Sequence, residues 1–166
     1  MSNIQRKFLV ALTAVAACFA WSTDASAQDS KLISRAISLT QKGGPLFQSI
    51  GNTTAANLEV IGSNYADRVS MAVRYGNLNR VDALVRNFQQ VAAEEAREGR
   101  REGRDSIAEL TQKLDRLISV ASRPATILQI NLYRDILVTA HDNAQVQIRD
   151  AYKSARDAVA NAANGN

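Results

Sequence analysis

Apolar residues recur at intervals of three and four along the chain from residue 30 onward, and no stretch alternates strictly between apolar and polar positions. This spacing is the period of an amphipathic α-helix rather than of a β-strand. Aromatic residues make up only 5% of the chain, while Ala, Leu, Arg and Gln, which favour helices, are abundant. The sequence therefore predicts an all-α protein.

Turn-forming residues divide the first half of this pattern. A short helix is expected over residues 30–42, because the sequence Gly-Gly-Pro at residues 43–45 is typical of a helix end. The sequence Gly-Asn-Thr-Thr at residues 51–54 is typical of a turn and a helix cap, so a second helix should start there. At Tyr75 to Leu78 the helix either ends or bends, and the sequence leaves this open. The apolar stripe resumes at Leu78, which is expected to face the core.

The middle of the chain carries a charged segment, residues 94–105, which has no large apolar side chain and is therefore expected to lie in solvent. Ser106 and Glu109 follow it with the spacing of a capping box, which predicts a helix start. Apolar residues from Ile107 to Ala121 then show heptad-like spacing. The sequence does not decide whether Gly99 to Asp105 form a turn or a helix bend.

A final long helix is predicted from Ala125 to Ala163, with an apolar stripe that includes Leu128 and Leu132 and is expected to face the core. Arg123-Pro124 ends the preceding helix, since a residue before proline avoids helical geometry and proline suits a first turn. The terminal residues Asn161 to Asn166 should fray. These elements indicate one domain, residues 28–166, that folds as an elongated antiparallel bundle of three to four long helices plus the short N-terminal helix.

The N-terminus has the pattern of an export signal. Two basic residues precede an apolar run over residues 8–21, and the small residues Ala25 and Ala27 stand where a signal peptidase selects its site. Cleavage of residues 1–27 would leave Gln28 as the first residue of an exported periplasmic or secreted protein. The apolar run is shorter than the roughly 20 residues that a membrane-spanning helix needs.

A second interpretation of the same segment is lipidation. Val15-Ala16-Ala17-Cys18 resembles a bacterial lipobox, in which Cys18 would carry a lipid and anchor the protein to a membrane. The residues after Cys18 argue against lipidation, because Phe19 to Trp21 continue the apolar run. Cleavage after Ala27 is favoured instead, because a polar stretch precedes Ala25, as is typical of a cleavable signal. Cleavage after Ala27 would remove Cys18, and the remaining chain would have no cysteine and no disulfide.

Charge and composition exclude several kinds of chemistry. The whole chain carries a net charge of +4, and loss of residues 1–27, with two basic residues and one acidic residue, leaves +3. This mild excess gives no electrostatic case for binding nucleic acid. One histidine and one cysteine cannot form a structural zinc site, and the sequence predicts neither a metal nor a cofactor.

No set of residues suggests catalysis. His141 is the only side chain that titrates near neutral pH unaided, and it is expected to be solvated beside the apolar stripe of the last helix. Glu94 and Glu95 form the only adjacent pair of carboxylates, but arginines surround them in the charged segment. Neither a nucleophile motif nor a phosphate-binding loop is present, so the protein is not expected to be an enzyme.

One small-residue pair suggests a helix contact. If the helix is unbroken there, Gly99 and Gly103, four residues apart, would form a notch that another helix can approach closely. Together with the apolar stripes, this favours an exported protein that acts through helix-mediated contact with a protein partner or with itself, as an accessory subunit of an envelope assembly. The alternative is a carrier or sensor that holds a small apolar ligand or a lipid inside the bundle.

Overall fold

The computed structural model describes residues 27–165, and these residues form three long helices. They are α1 (Ala27–Arg74), α2 (Leu78–Val120) and α3 (Pro124–Ala163). No strand occurs in this part of the chain. At 1.5 Å per residue the helices are about 60 to 72 Å long. The all-α class and the helical bundle are confirmed.

Contacts along the helices define an up-down-up arrangement. Asn57 of α1 donates a hydrogen bond to Glu95 of α2, and Asp115 of α2 forms an ion pair with Arg134 of α3. Short connections between long helices make neighbours in sequence antiparallel. The first and third helices consequently run parallel, and they share the most extensive interface of the three.

The buried positions repeat every 11 residues in all three helices. Such a repeat corresponds to 3.67 residues per turn, close to the 3.6 of a straight α-helix. The heptad-like spacing after Ile107 holds over a few turns only, and the 11-residue period is the one that continues along each helix. The buried residues of this repeat are Ala36, Phe47, Leu58 and Val69 in α1; Val81, Ala92, Gly103 and Leu114 in α2; and Thr126, Leu137, Ile148 and Val159 in α3.

The predicted short N-terminal helix is wrong, because α1 continues through Gly43-Gly44-Pro45. Gly43 and Gly44 are buried, and a Cβ atom on Gly43 would overlap the side chains of Leu137 and Leu110. The glycine here permits close packing rather than ending a helix. Tertiary packing offsets the cost of an interior proline, about 3 kcal/mol.

The turn expected at residues 51–54 is also absent. Gly51 is buried against Ala144 of α3, and Thr54 is buried against α2. Asn52 accepts a hydrogen bond from Gln147 Nε2 at 2.7 Å. These polar and small residues serve contacts between helices, so the signals that favour a turn in an isolated segment are overridden.

Two breaks separate the helices, one at residues 75–78, which the sequence left open, and one that the sequence predicted. Gly76 adopts a positive φ of 65° between α1 and α2, and Asn77 caps α2 by accepting from the backbone N–H of Arg80. Residues 75–78 therefore form a turn rather than a bend. The second break is at Arg123-Pro124, as predicted, and α3 begins at Pro124, one residue before the expected Ala125.

The charged segment 94–105 is neither a turn nor fully solvated. It lies within α2, which has no break near Ser106, so the predicted helix start is wrong. Ala96, Gly99 and Gly103 are buried, because small residues are sufficient where the helices approach closely. Ion pairs such as Glu94–Arg97 on the outer face also favour a continuous helix.

Candidate interaction surfaces

The predicted notch of Gly99 and Gly103 lies inside the bundle. A Cβ atom on Gly99 would overlap the side chain of Thr54 of α1, and one on Gly103 would lie 2.7 Å from Nε2 of Gln145 of α3. Both glycines are buried by helices of their own chain. They are therefore positions of internal helix packing in this structure.

The predicted processing sites lie at the edge of the described residues or beyond it. Cys18 and Ala25 fall outside residues 27–165. Ala27 is the first residue of α1, and Gln28 is exposed. The bond expected to be cleaved therefore precedes Asp29, which is buried.

Asp29 holds the start of α1 against the connection between α2 and α3. Its side chain is buried, and its carboxylate accepts from Ser122 Oγ at 3.2 and 3.4 Å. The Nε atom of Arg123 lies 3.6 Å from Asp29 Oδ2. A carboxylate in the first turn also interacts favourably with the helix dipole. This contact closes the N-terminal end of the bundle.

The expectation of a solvated histidine is wrong. The His141 side chain is only 14% exposed, and its ring meets Phe47 edge-on with centroids 5.6 Å apart. The ring nitrogens lie 3.0 Å from Asp142 Oδ1 and 3.2 Å from Gln145 Nε2. Because α1 packs directly against this side of α3, the histidine is a packing residue at the edge of the core.

The structure offers little that resembles a catalytic or metal site. In the described part of the chain, no three His, Cys, Asp or Glu residues converge to hold a metal ion. A surface depression lies along α2 alone, open to solvent and lined by polar side chains, including Glu98, Glu102 and Asp105. It has neither the enclosure nor the apolar lining that a small apolar ligand requires.

An exposed apolar strip runs along α3. Leu128 and Leu132 are 63% and 49% exposed, and the half-buried Ile136 follows them one turn later. Spacings of four residues place all three on one side of the helix. We call these three residues the outer ridge. The apolar pattern of the sequence predicted that Leu128 and Leu132 face the core, and this prediction is wrong.

Uncharged polar side chains border the outer ridge on α1. The hydrogen bond from Gln147 to Asn52 fixes the register at this edge of the two helices. Because the buried positions of both helices repeat every 11 residues, Ile136 and Gln41 are expected to occupy the equivalent places three turns earlier. Ser34 and Ser38 lie further along this edge of α1, and all three α1 residues are exposed. An apolar centre with a polar, uncharged border is typical of protein interfaces.

Sequence reasoning missed this surface because the core and the ridge both satisfy helical spacing. Leu128 and Leu132 alternate with the buried Ile130 and Tyr133, so apolar residues cover most of the helix circumference at this level. The apolar stripe of this helix is wider than one buried face requires. This width, visible in the sequence, could have indicated a second apolar surface.

Comparisons with known proteins do not place this chain in a family. No family model, curated protein or solved structure matches this chain. None of the helices in residues 27–165 is apolar enough over a sufficient length to cross a membrane.

Proposed function

We propose that this protein is an exported, non-catalytic helical protein that binds a partner protein through the outer ridge of α3, as an accessory subunit of an envelope assembly. The observation that carries the proposal is the exposure of Leu128 and Leu132 on successive turns of a helix whose opposite side is fully packed. The partner is an amphipathic helix with an apolar, uncharged stripe.

The chemistry of the ridge supports this kind of partner. Fully burying an exposed leucine contributes roughly 1.5 to 3 kcal/mol to the free energy of binding. Two half-exposed leucines would therefore make a modest contribution to partner affinity. A helix laid along the groove between α1 and α3 would cover both leucines and Ile136 at successive turns. The exposed serines of α1 are uncharged, so such a helix would not have to desolvate a charge on that side of the groove.

Export is compatible with the way the bundle is held together. Cleavage between Ala27 and Gln28 would leave Asp29 and its contacts with Ser122 and Arg123 in the mature chain. Packing and hydrogen bonds stabilise the described helices without any disulfide, since the only cysteine of the chain is Cys18. A protein of this kind needs no oxidising step to fold after export.

The test is site-specific photocrosslinking in the native envelope. A photoreactive amino acid placed at Leu128 or at Leu132 should capture the same partner protein, since the two positions lie on adjacent turns. The crosslinked partner peptide should map to an amphipathic helix. Gln112, exposed on α2, provides the control position, and no crosslink to that partner is expected there.

Several outcomes would overturn the proposal. These are no crosslink from the ridge, equal capture from Gln112, or crosslinks only between two copies of this chain. The same experiment identifies the N-terminal peptide by mass spectrometry. Gln28 as the first residue supports a soluble subunit, whereas a lipid on Cys18 contradicts that part of the proposal.

A further inference from the structure

The turn between α1 and α2 is a rigid structure rather than a loose loop. The N–H of Asn77 donates to Ala72 O at 3.0 Å and the N–H of Gly76 donates to Val73 O at 2.9 Å. With Gly76 in the left-handed region, these bonds form a Schellman motif at the end of α1. The side chains around the turn are therefore held in place on a short, fixed connection.

Large apolar side chains project from this turn into solvent. Tyr75 is 86% exposed and Leu78 is 73% exposed, the two highest exposures among the large apolar residues described. Met71, one turn before Tyr75 on α1, is also exposed. We call Met71, Tyr75 and Leu78 the apex. The sequence pattern placed Leu78 in the core stripe of α2, and the structure corrects this.

Arginines surround the apex. The segment from residue 68 to residue 80 contains three arginines and no acidic residue. The Arg68 guanidinium lies over the Tyr65 ring, 5.2 Å from its centroid. Arg74 and Arg80 flank the turn itself, are exposed, and have no carboxylate within 4 Å in the described part of the chain. Asp67 and Asp82 are the nearest acids along the chain.

The apex also occupies an end of the molecule. Since α1 and α3 run parallel, the C-terminal end of α3 lies at the same end of the bundle, and it presents small and amide residues around Asn164. The start of α1 at Ala27 lies at the opposite end, about 70 Å away. No bulky element of the described chain surrounds the apex and shields it from a flat surface.

We propose that the apex binds the surface of an anionic lipid bilayer, with Tyr75 and Leu78 entering the interfacial layer and Arg74 and Arg80 contacting lipid phosphates. Tyrosine suits this layer because its ring is apolar and its hydroxyl is polar. Arginines near an anionic surface add electrostatic attraction. The long axis of the bundle would then point away from the membrane. This inference does not depend on the outer ridge.

Vesicle flotation tests the proposal with the purified mature protein, residues 28–166, which lacks Cys18, Trp21 and the apolar run of residues 8–21. The protein should float with vesicles of phosphatidylcholine and phosphatidylglycerol and remain unbound with phosphatidylcholine alone. Tyr75→Ser with Leu78→Ser should lower binding about tenfold or more. Arg74→Gln with Arg80→Gln should lower binding to the anionic vesicles by a similar factor.

A matched control separates the apex from general surface hydrophobicity. Val60 and Val146 are exposed on the sides of α1 and α3, and Val60→Ser with Val146→Ser should leave binding unchanged. Circular dichroism checks that each variant is folded. In addition, a Tyr75→Trp variant should show a blue-shifted emission only with anionic vesicles.

Three results would overturn the proposal. The first is no binding to anionic vesicles at low salt. The second is equal binding to neutral and anionic vesicles. The third is unchanged binding of the apex variants, which would place any lipid contact elsewhere in the chain.

Discussion

Gly62 of α1 lies directly against Ala155 of α3. A Cβ atom on Gly62 would be 2.7 Å from the Ala155 Cβ and 2.8 Å from its Cα. Eleven residues earlier on both helices, Gly51 lies against Ala144, where a Cβ would be 3.2 Å from the Ala144 Cα. The two parallel helices are thus in near backbone contact at two points three turns apart, which accounts for the burial of small residues at these levels.

Gly62→Ala is expected to destabilise the protein. Forcing a methyl group against the Ala155 backbone lowers the free energy of unfolding by about 1 to 3 kcal/mol. The better helix propensity of alanine offsets up to about 1 kcal/mol of this loss. Gly51→Ala should cost less, because its shortest contact is to the flexible end of Gln147. Thermal or urea unfolding measures both, and the neighbouring exposed Ser63→Ala is the control. Equal stability of Gly62→Ala and wild type would contradict the close approach.

Gly99 and Thr54 should be energetically coupled. A Cβ on Gly99 would overlap Oγ1 and Cγ2 of Thr54, so Gly99→Ala should destabilise by about 1 to 3 kcal/mol. Thr54→Ala removes both atoms, and the double variant should therefore be more stable than the sum of the single effects by at least about 0.5 kcal/mol. A double-mutant cycle measured in urea tests this. Strict additivity would mean that the two residues do not touch in solution.

Asp29→Ala is expected to lower the free energy of unfolding by about 1 to 3 kcal/mol. The substitution removes a buried carboxylate and leaves Ser122 without its acceptor. Asp29→Asn keeps the size of the side chain and should have a smaller effect. Ser30→Ala, at an exposed neighbour, should be close to neutral. If Asp29→Ala were neutral as well, the N-terminal turn of α1 would not be held by this residue.

The pKa of Glu109 is expected to lie below the usual range for glutamate. The ammonium group of Lys113, four residues later, donates a hydrogen bond to its carboxylate and attracts its negative charge. Because the folded pKa is lowered, the pair stabilises the protein above the ordinary glutamate pKa, and this contribution is lost as the pH falls through the folded pKa. The pair is exposed, so its effect on stability is small.

Titration of Glu109 followed by NMR measures this shift directly. Lys113→Gln should move the pKa of Glu109 upward toward its usual range. Lys42→Gln, at a lysine on α1, should leave it unchanged. An unaltered titration in Lys113→Gln would show that the ion pair does not persist in solution.

Leucines on the two sides of α3 should differ sharply in their contribution to stability. Leu137 is fully buried, so Leu137→Ala should cost about 2 to 5 kcal/mol. Leu132, on the outer ridge, is half exposed, and Leu132→Ala should cost less than about 1 kcal/mol in the isolated protein. Denaturant unfolding of the two variants compares them. A large loss for Leu132→Ala would indicate that the ridge is part of the core.

Some turn signals in this sequence mark the ends of helices, whereas others lie inside a helix. Arg123-Pro124 ends a helix where the sequence predicts, and Gly76-Asn77 ends one where the sequence allowed either an end or a bend. The positive φ of Gly76 and the restricted geometry before Pro124 are local properties of the backbone. Gly43 to Pro45 and Gly51 to Thr54 have equally strong local signals, yet α1 passes through both. Their glycines face α3, and only the neighbouring helix makes that packing favourable.

The candidate surfaces were less accessible to sequence reasoning than the fold. The hydrophobic period identifies which residues share a face, but it does not say where the neighbouring helices end. Leu78 continues the apolar spacing of α2 and is nevertheless exposed, because it lies at the turn. Leu132 continues the spacing of α3 and is exposed, because α1 and α2 cover the other sides of that helix.

The sequence by itself determined the helical class, the break at Pro124, and the absence of cysteine after Cys18. It marked residues 75–78 as either a helix end or a bend. These follow from residue type, spacing and local backbone preference, which act within a few residues. The tertiary structure decided that the glycines of α1 and α2 are points of close packing, that residues 94–105 are helical and partly buried, and that Leu132 and Leu78 face solvent. Each of these depends on which helix lies opposite, and that is set by contacts between residues far apart in the chain.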